Sequence, residues 1–328
     1  MNRAAIIAAL AMLHCGGASA PPEVVAVAKA RDAAVAPPAP AVWRSCLLDG
    51  ASPCLSTVPV RVSDGLLAWS SWIEAYADQH AGELSHGVTE CRWVAELDQV
   101  LLCGSSDLEA MNPPLMRPSM FVEQRPRVVV KRSDPQYLEL VGLVGGFDLV
   151  KDHPDPARPD LLGFYAAVDA ACATDRTSCA DDREQAMRTL LERAWVDKPN
   201  LVLVTFASRS TIPVDETVSH EMLHAQYFTS PAFRQVVDAY WTNLPLGARN
   251  RVRAALSPPY NGQDDELMRN ELQAYMLMSG AESAHLRRLV GTHRAPLLAQ
   301  LAASGLAPIQ VERRPTSNEP EPEPAPGP

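Results

Sequence analysis

Apolar residues recur at two different spacings along this chain, and the change from one to the other organises it. Ahead of residue 160 the pattern is mixed. A helical run covers Leu66–Gln79 behind Ser63-Asp64. Two strand-like runs, Val88–Glu96 and Gln99–Gly104, flank a short turn at Leu97 as the arms of a hairpin do, and a further strand-like run covers Arg127–Lys131. From Asp160 the spacing turns helical, over Leu161–Ala173 and Asp182–Val196, as far as the turn Lys198-Pro199-Asn200. One apolar, β-branched strand follows at Leu201–Ala207. Everything after it reads as helix: Val214–Phe228, Ala232–Asn243, Gly247–Leu256, Asp264–Ser279 and Ser283–Ala303. The expected fold is α+β, with a mixed N-terminal lobe over residues 43–198 and a mainly helical lobe over residues 199–311.

The two ends do not share this periodicity. Arg3, the apolar run Ala4–Leu13 and the small residues Gly16 to Ala20 follow the order of an export signal. The run is about half the roughly 20 residues that a membrane-spanning helix needs. Two processing sites compete. Cleavage after Ala20 would release a chain beginning in the Ala/Pro-rich tether of residues 21–42; cleavage before Cys15, with lipid on its sulfur, would anchor the chain to a bacterial envelope membrane. Cysteine arithmetic favours the second. Six cysteines remain beyond the signal, an even set suited to disulfides in an exported protein, and their spacings favour the local pairs Cys46–Cys54, Cys91–Cys103 and Cys172–Cys179. Cys15 is the one left over. The last stretch, residues 312–328, ends in a Glu-Pro repeat and is expected to be disordered.

Charge and composition narrow the function further. Asp and Glu outnumber Lys and Arg by 39 to 29, for a formal net charge of −10, and no basic stripe is present to neutralise phosphates. Nucleic acid is thereby excluded as a partner. Gly142, Gly145 and Gly146 lack the lysine of a phosphate-binding loop and read as close packing or a turn. His80, His86 and His153 are isolated and expected at the surface, as are Arg249, Arg251 and Arg253.

Within Val214–Phe228 stands His220-Glu221-Met222-Leu223-His224, an H-E-x-x-H sequence on a helix. Residues four apart lie one above the other, about 6 Å along the axis, so both imidazoles can converge on one ion. Zn²⁺ suits the arrangement, since imidazole nitrogen is a favoured ligand and a catalytic zinc keeps one position for water. Glu221, rotated about 100° from His220, is placed to hold that water and take its proton as it attacks a carbonyl. Pro213 fits the start of this helix, and Asp215 and Glu216 put negative charge at the positive end of its dipole. Val218, Met222 and Ala225 follow helical spacing on another face that can dock into the core.

A third ligand must come from elsewhere. Tyr227 and Ser230 occupy the positions where H-E-x-x-H-x-x-G-x-x-H would require glycine and histidine. Asn270-Glu271 lies inside the later helix, and Glu271 is the first choice, with Glu266 and His285 as fallbacks; Asp264 and Asp265 are expected to cap that helix. Tyr275, one turn beyond Glu271, is placed to donate a hydrogen bond to a developing oxyanion, with Tyr260, Tyr227 and His285 as weaker choices.

On these residues the stretch Leu201–Ser279 resembles the zincin metallopeptidases, and among them the gluzincins, whose third ligand is a glutamate on a later helix, often preceded by asparagine. The resemblance implies His220, His224 and Glu271 as zinc ligands, Glu221 as general base, and Leu201–Ala207 as the edge strand that pairs with an extended peptide or protein substrate. Glu271 comes 47 residues after His224, farther than in thermolysin-like members, and Tyr275 stands where those place an aspartate. The implied function is an exported zinc-dependent metallopeptidase. The alternative is an envelope-anchored lipoprotein whose zincin-like core has a binding or structural role.

Overall fold

The computed structural model describes residues 45–49, 52–81, 87–123, 128–140, 146–150, 153, 160–257, 262–278 and 284–314. The signal, the tether, His86, Tyr260 and residues 315–328 lie outside the described residues.

The expected hairpin is present. Strands β2 (Thr89–Trp93) and β3 (Val100–Asp107) pair antiparallel, and the register places Cys91 directly opposite Cys103, to which it is disulfide-bonded. Cys46–Cys54 and Cys172–Cys179 are also joined, as their spacing predicts. Among the described residues the sheet has five strands in the order β1-β2-β3-β5-β4, with β1 (Cys54–Leu55) parallel to β2, β5 (Val202–Arg209) parallel to β3, and β4 (Gly146–Val150) antiparallel to β5. The chain is thus mixed α and β, built on a mixed sheet. Two sequence expectations change here. Leu201–Ala207 is an interior strand, hydrogen-bonded on both sides, and among the described residues β4 is the edge strand beside it, with β1 at the opposite edge. Residues 128–131 form no strand; the carbonyl of Val130 instead accepts from Arg117 Nε at 2.9 Å.

The near-continuous apolar runs of β3 and β5 reflect burial on both faces. Leu101, Cys103, Leu201, Leu203, Phe147 and Leu149 face helices α2 (Leu108–Glu123), α4 (Leu161–Thr174) and α5 (Asp182–Asp197), with the short α3 (Pro135–Leu140) beside them. Val100, Leu102, Val202, Val204 and Phe206 face α1 (Leu66–Gln79) and α6 (Val214–Thr229), through Trp69, Ile73, Val218 and Met222. Helix α2 carries Pro113, Pro114 and Pro118, residues that interrupt a helical pattern, so the sequence does not announce it. Its burial from Ala110 to Phe121 holds it helical in spite of them.

Helices α7 (Pro231–Asn243), α8 (Leu246–Leu256), α9 (Asp265–Leu277) and α10 (Ala284–Ala303) form a third cluster against the other side of α6, around Leu223, Tyr227, Trp241, Met268 and Leu301. After α10 the chain returns along α6. Gln226 donates to the carbonyl of Ala307 and accepts from the amide of Ile309, both at 2.9 Å, while Asp215 near the other end of the helix accepts from the amide of Arg314 at 3.2 Å. Residues 312–314, expected in the disordered tail, are therefore docked; Glu312 also accepts from the amide of Leu67, near the start of α1, at 3.0 Å.

The face opposite α6 carries a buried charge network. Arg117, fully buried, meets Glu184 at 2.8 Å and donates to the carbonyl of Ser178 at 2.7 Å, and Arg132 also pairs with Glu184. Burial pushes the Glu184 carboxyl up and the Arg117 guanidinium down, so desolvation outweighs their mutual attraction. Removing one partner is then worse than never having the pair. Arg117→Met is expected to cost about 3 kcal/mol in urea unfolding at pH 7, the lower end of the range because Arg132 remains. Since folding raises the Glu184 pKa, the folded state binds more protons there than the unfolded chain, and this deficit should shrink as pH falls through the carboxylate range. An unchanged deficit at acidic pH would contradict this account.

Candidate metal centre

Helix α6 starts directly after Pro213, with Asp215 and Glu216 in its first turn, and is held by apolar residues on two sides. Val214, Val218, Met222 and Ala225 enter the core under the sheet, while Leu223 and Tyr227 enter the helical cluster. Little rotational freedom remains, and the two histidines emerge between these faces. Their rings lie 4.6 Å apart edge to face, with Nε2 of His224 3.0 Å from Nε2 of His220.

Helix α9 delivers the third group. Asp264 caps it by accepting from the amide of Leu267, as expected, and the buried Gln273 ties it to α6 by donating to the carbonyl of Leu223 at 3.1 Å and to Asn270 Oδ1 at the same distance. Farther out, the Tyr227 hydroxyl donates to Asp238 at 2.7 Å and accepts from Arg269 at 2.9 Å, linking α6, α7 and α9. Burial, and then Asp238, push the Tyr227 phenol well above its ordinary range, so it stays a neutral strut. The result is a convergence. Glu271, with no exposed surface, places one carboxylate oxygen 3.5 Å from His220 Nε2 and the other 3.5 Å from His224 Nε2.

These separations fit a shared ion. Two donors each about 2.0–2.1 Å from a tetrahedral zinc are about 3.3 Å from one another. The observed 3.0 to 3.5 Å brackets that value, the two longer separations being to different oxygens of Glu271, and two imidazole nitrogens with one carboxylate are a donor set that zinc accepts.

Glu221 is buried at 4% exposure on the side of α6 that faces the sheet edge. There it meets a residue the sequence does not flag. Asp148 on β4, Glu221 and His224 bring one donor atom each to within 4.8 Å of one another. Strand phase explains the placement. Asp148 stands opposite Val204, whose side chain faces α6, whereas Phe147 and Leu149 point to the other layer. The alternation in Gly-Phe-Asp-Leu-Val is the only sequence trace of this.

No protein-family profile, curated protein or solved structure matches this chain.

The remaining candidates separate cleanly. The Tyr275 ring lies 4.6 Å from the His220 ring, beside the centre. Glu266 is not in the cluster; its carboxylate lies 3.7 Å from His153 Nε2 and 3.9 Å from Arg234. His153, expected at the surface, has only 8% of its side chain exposed and packs against Phe228. Tyr227 is taken up by Asp238 and Arg269, and the side chain of His285 lies outside the described residues.

Gly146 sets the approach of β4 to the centre. A Cβ there would lie 2.5 Å from Thr217 Cγ2, 2.9 Å from the carbonyl oxygen of Thr205 and 3.3 Å from Glu221 Cγ. Gly146→Ala should therefore push the strand off α6 and cost about 1–3 kcal/mol. Adding Thr217→Ser, which deletes the clashing methyl, should recover part of that loss in thermal unfolding. Additive losses in the double variant would show that the clash is absent.

Proposed function

We propose that this chain is an exported zinc-dependent hydrolase, and specifically a metallopeptidase of the zincin kind. The observation that carries the reading is the convergence of two imidazole nitrogens of one helix and a fully buried glutamate of another at separations suited to one zinc, with a second buried glutamate alongside. Export is supported by the signal-like N-terminal order, with lipid attachment at Cys15 as its favoured form, and by the three disulfides.

Each residue then has a role. His220, His224 and Glu271 would hold the ion, two neutral imidazoles and one carboxylate leaving it a net positive charge. When bound, zinc lowers the pKa of a water and polarises the substrate carbonyl. Glu221 accepts the proton of the attacking water and hands it to the amide nitrogen. The C–O bond forms first, moving the carbonyl electron pair onto oxygen; the pair then returns as the C–N bond breaks and the protonated amine leaves, giving a carboxylate and an amine. Tyr275, against His220, is the donor for the oxyanion. The strand available to an extended peptide is β4, since the described residues place no neighbour on its outer side, and Gly146 brings it close to Glu221.

The purified protein is expected to hold about one zinc per chain and to cleave a mixed peptide library, with a chelator abolishing cleavage and zinc restoring it. Glu221→Gln should keep the metal while turnover falls by about 10²–10⁴. A metal-free preparation that zinc cannot reconstitute would refute the reading.

A further inference from the structure

The hydrolase reading gives Glu221 a proton to carry and leaves open what aims it. We infer that Thr217 is a positioning residue for this base: its hydroxyl donates a hydrogen bond to the Glu221 carboxylate in the zinc-loaded protein. The inference rests on the reading in the preceding subsection and deepens it.

The starting observation is a hydroxyl shut away from water. Thr217 is 4% exposed, and its Oγ1 is buried with no hydrogen-bond partner among the described residues. Burying a donor in that state is unfavourable, so each such group calls for an explanation. The carbonyl one turn back, that of Pro213, is bonded to the Thr217 amide at 3.0 Å instead.

Position decides what the hydroxyl reaches. Thr217 stands one turn before Glu221 on the same face of α6, and helical side chains lean toward the N-terminus, so the glutamate extends over the threonine. Gly146 of β4 gives the measure. A Cβ built there would lie 2.5 Å from Thr217 Cγ2 and 3.3 Å from Glu221 Cγ, so both side chains crowd the same point of the strand. The carboxyl is one bond beyond that Cγ. Threonine in a helix divides between two χ1 rotamers, and turning from one to the other swings the hydroxyl without moving the backbone. Glu221 has room for it, since a carboxylate offers about four lone-pair sites and takes this donor beside its other partners.

The chemistry gives the bond a use. Glu221 receives a proton from water and delivers it to nitrogen, and a misplaced catalytic group loses rate steeply. A donor on the same helix fixes one carboxylate oxygen and leaves the other for the reacting water. With both residues buried, Thr217 acts through Glu221 and not on the substrate.

The methyl and the hydroxyl of Thr217 are tested apart. Thr217→Val keeps the methyl against Gly146 and removes the hydroxyl; Thr217→Ser does the reverse. With the zinc-loaded full chain and the best-cleaved peptide of the library, Thr217→Val is expected to lower kcat about tenfold or more with KM within about twofold, as loss of a hydrogen bond to a charged group implies, while Thr217→Ser stays within about threefold of wild type. Thermal unfolding should show Thr217→Val at least as stable as wild type, because an unpaired buried hydroxyl has gone. Thr217→Ala, which also lacks the hydroxyl, should match it in turnover if the valine variant misfolds. The opposite order, with serine slow and valine like wild type, would make Thr217 a packing residue and overturn the inference. A crystal structure of the zinc-loaded protein is expected to place Thr217 Oγ1 about 2.5–3.0 Å from a Glu221 oxygen. A separation beyond hydrogen-bond range would also overturn it, even in a chain that cleaves no library peptide. A chain that takes up no zinc would sink the hydrolase reading, and this role with it.

Discussion

An ionised carboxylate taken wholly out of water requires compensating positive charge, and the packing of α6 against α9 puts the Glu271 carboxyl in such a place, beside two imidazoles. Glu271 has no exposed surface, and its oxygens face His220 and His224 at equal distance. Burying an ionised carboxylate without such compensation costs several kcal/mol. The helices cannot slide to relieve it, because Gln273 bonds the backbone of α6 at Leu223 and the Tyr227–Asp238–Arg269 link fixes the crossing one turn farther on. Ligand geometry and helix packing are therefore one constraint, and the zinc proposed for this centre would satisfy both.

Helix α6 belongs to two cores at once, which gives the centre its rigidity. The sheet side seats Val218 and Met222, the helical side seats Leu223 and Tyr227, and the returning segment after α10 bonds Gln226 and Asp215 near its two ends. Histidines on a loop would have to be ordered by a metal; these are ordered by packing alone, which would lower the entropic cost of binding the proposed zinc. The sheet contributes on the open side. Its edge strand approaches α6 through Gly146 and brings Asp148 to the glutamate proposed as general base.

Much of this was legible locally. The symmetry of Cys91 and Cys103 about Leu97 anticipates the β2–β3 register, because paired residues in a hairpin are equidistant from its turn. The first-turn acids of α6 and the Asp264 cap are short-range interactions and occur where the pattern places them. Helix α2 was hidden because its prolines contradict its burial, and β4 because five residues after a glycine run give too short a pattern to recognise. The edge strand was misassigned for a different reason. β5 is apolar on both faces, which signals burial, yet strand order depends on partners distant in sequence, and β4 comes from residues that precede it by more than 50 positions.

By itself, the order of residues determined which side chains share a helix face: His220 over His224, with Glu221 turned aside, and Glu271 on a helix of its own, since a period of 3.6 is a property of the local backbone. Only the tertiary structure decided that Glu271 meets the two rings, that Glu266 does not, and that Asp148 stands beside Glu221. Those contacts join segments separated by 47 residues or more, and no local propensity encodes a distance of that kind. It emerges when cores on both sides of α6 close together, because close packing leaves each helix and strand few positions in which all its buried faces are filled.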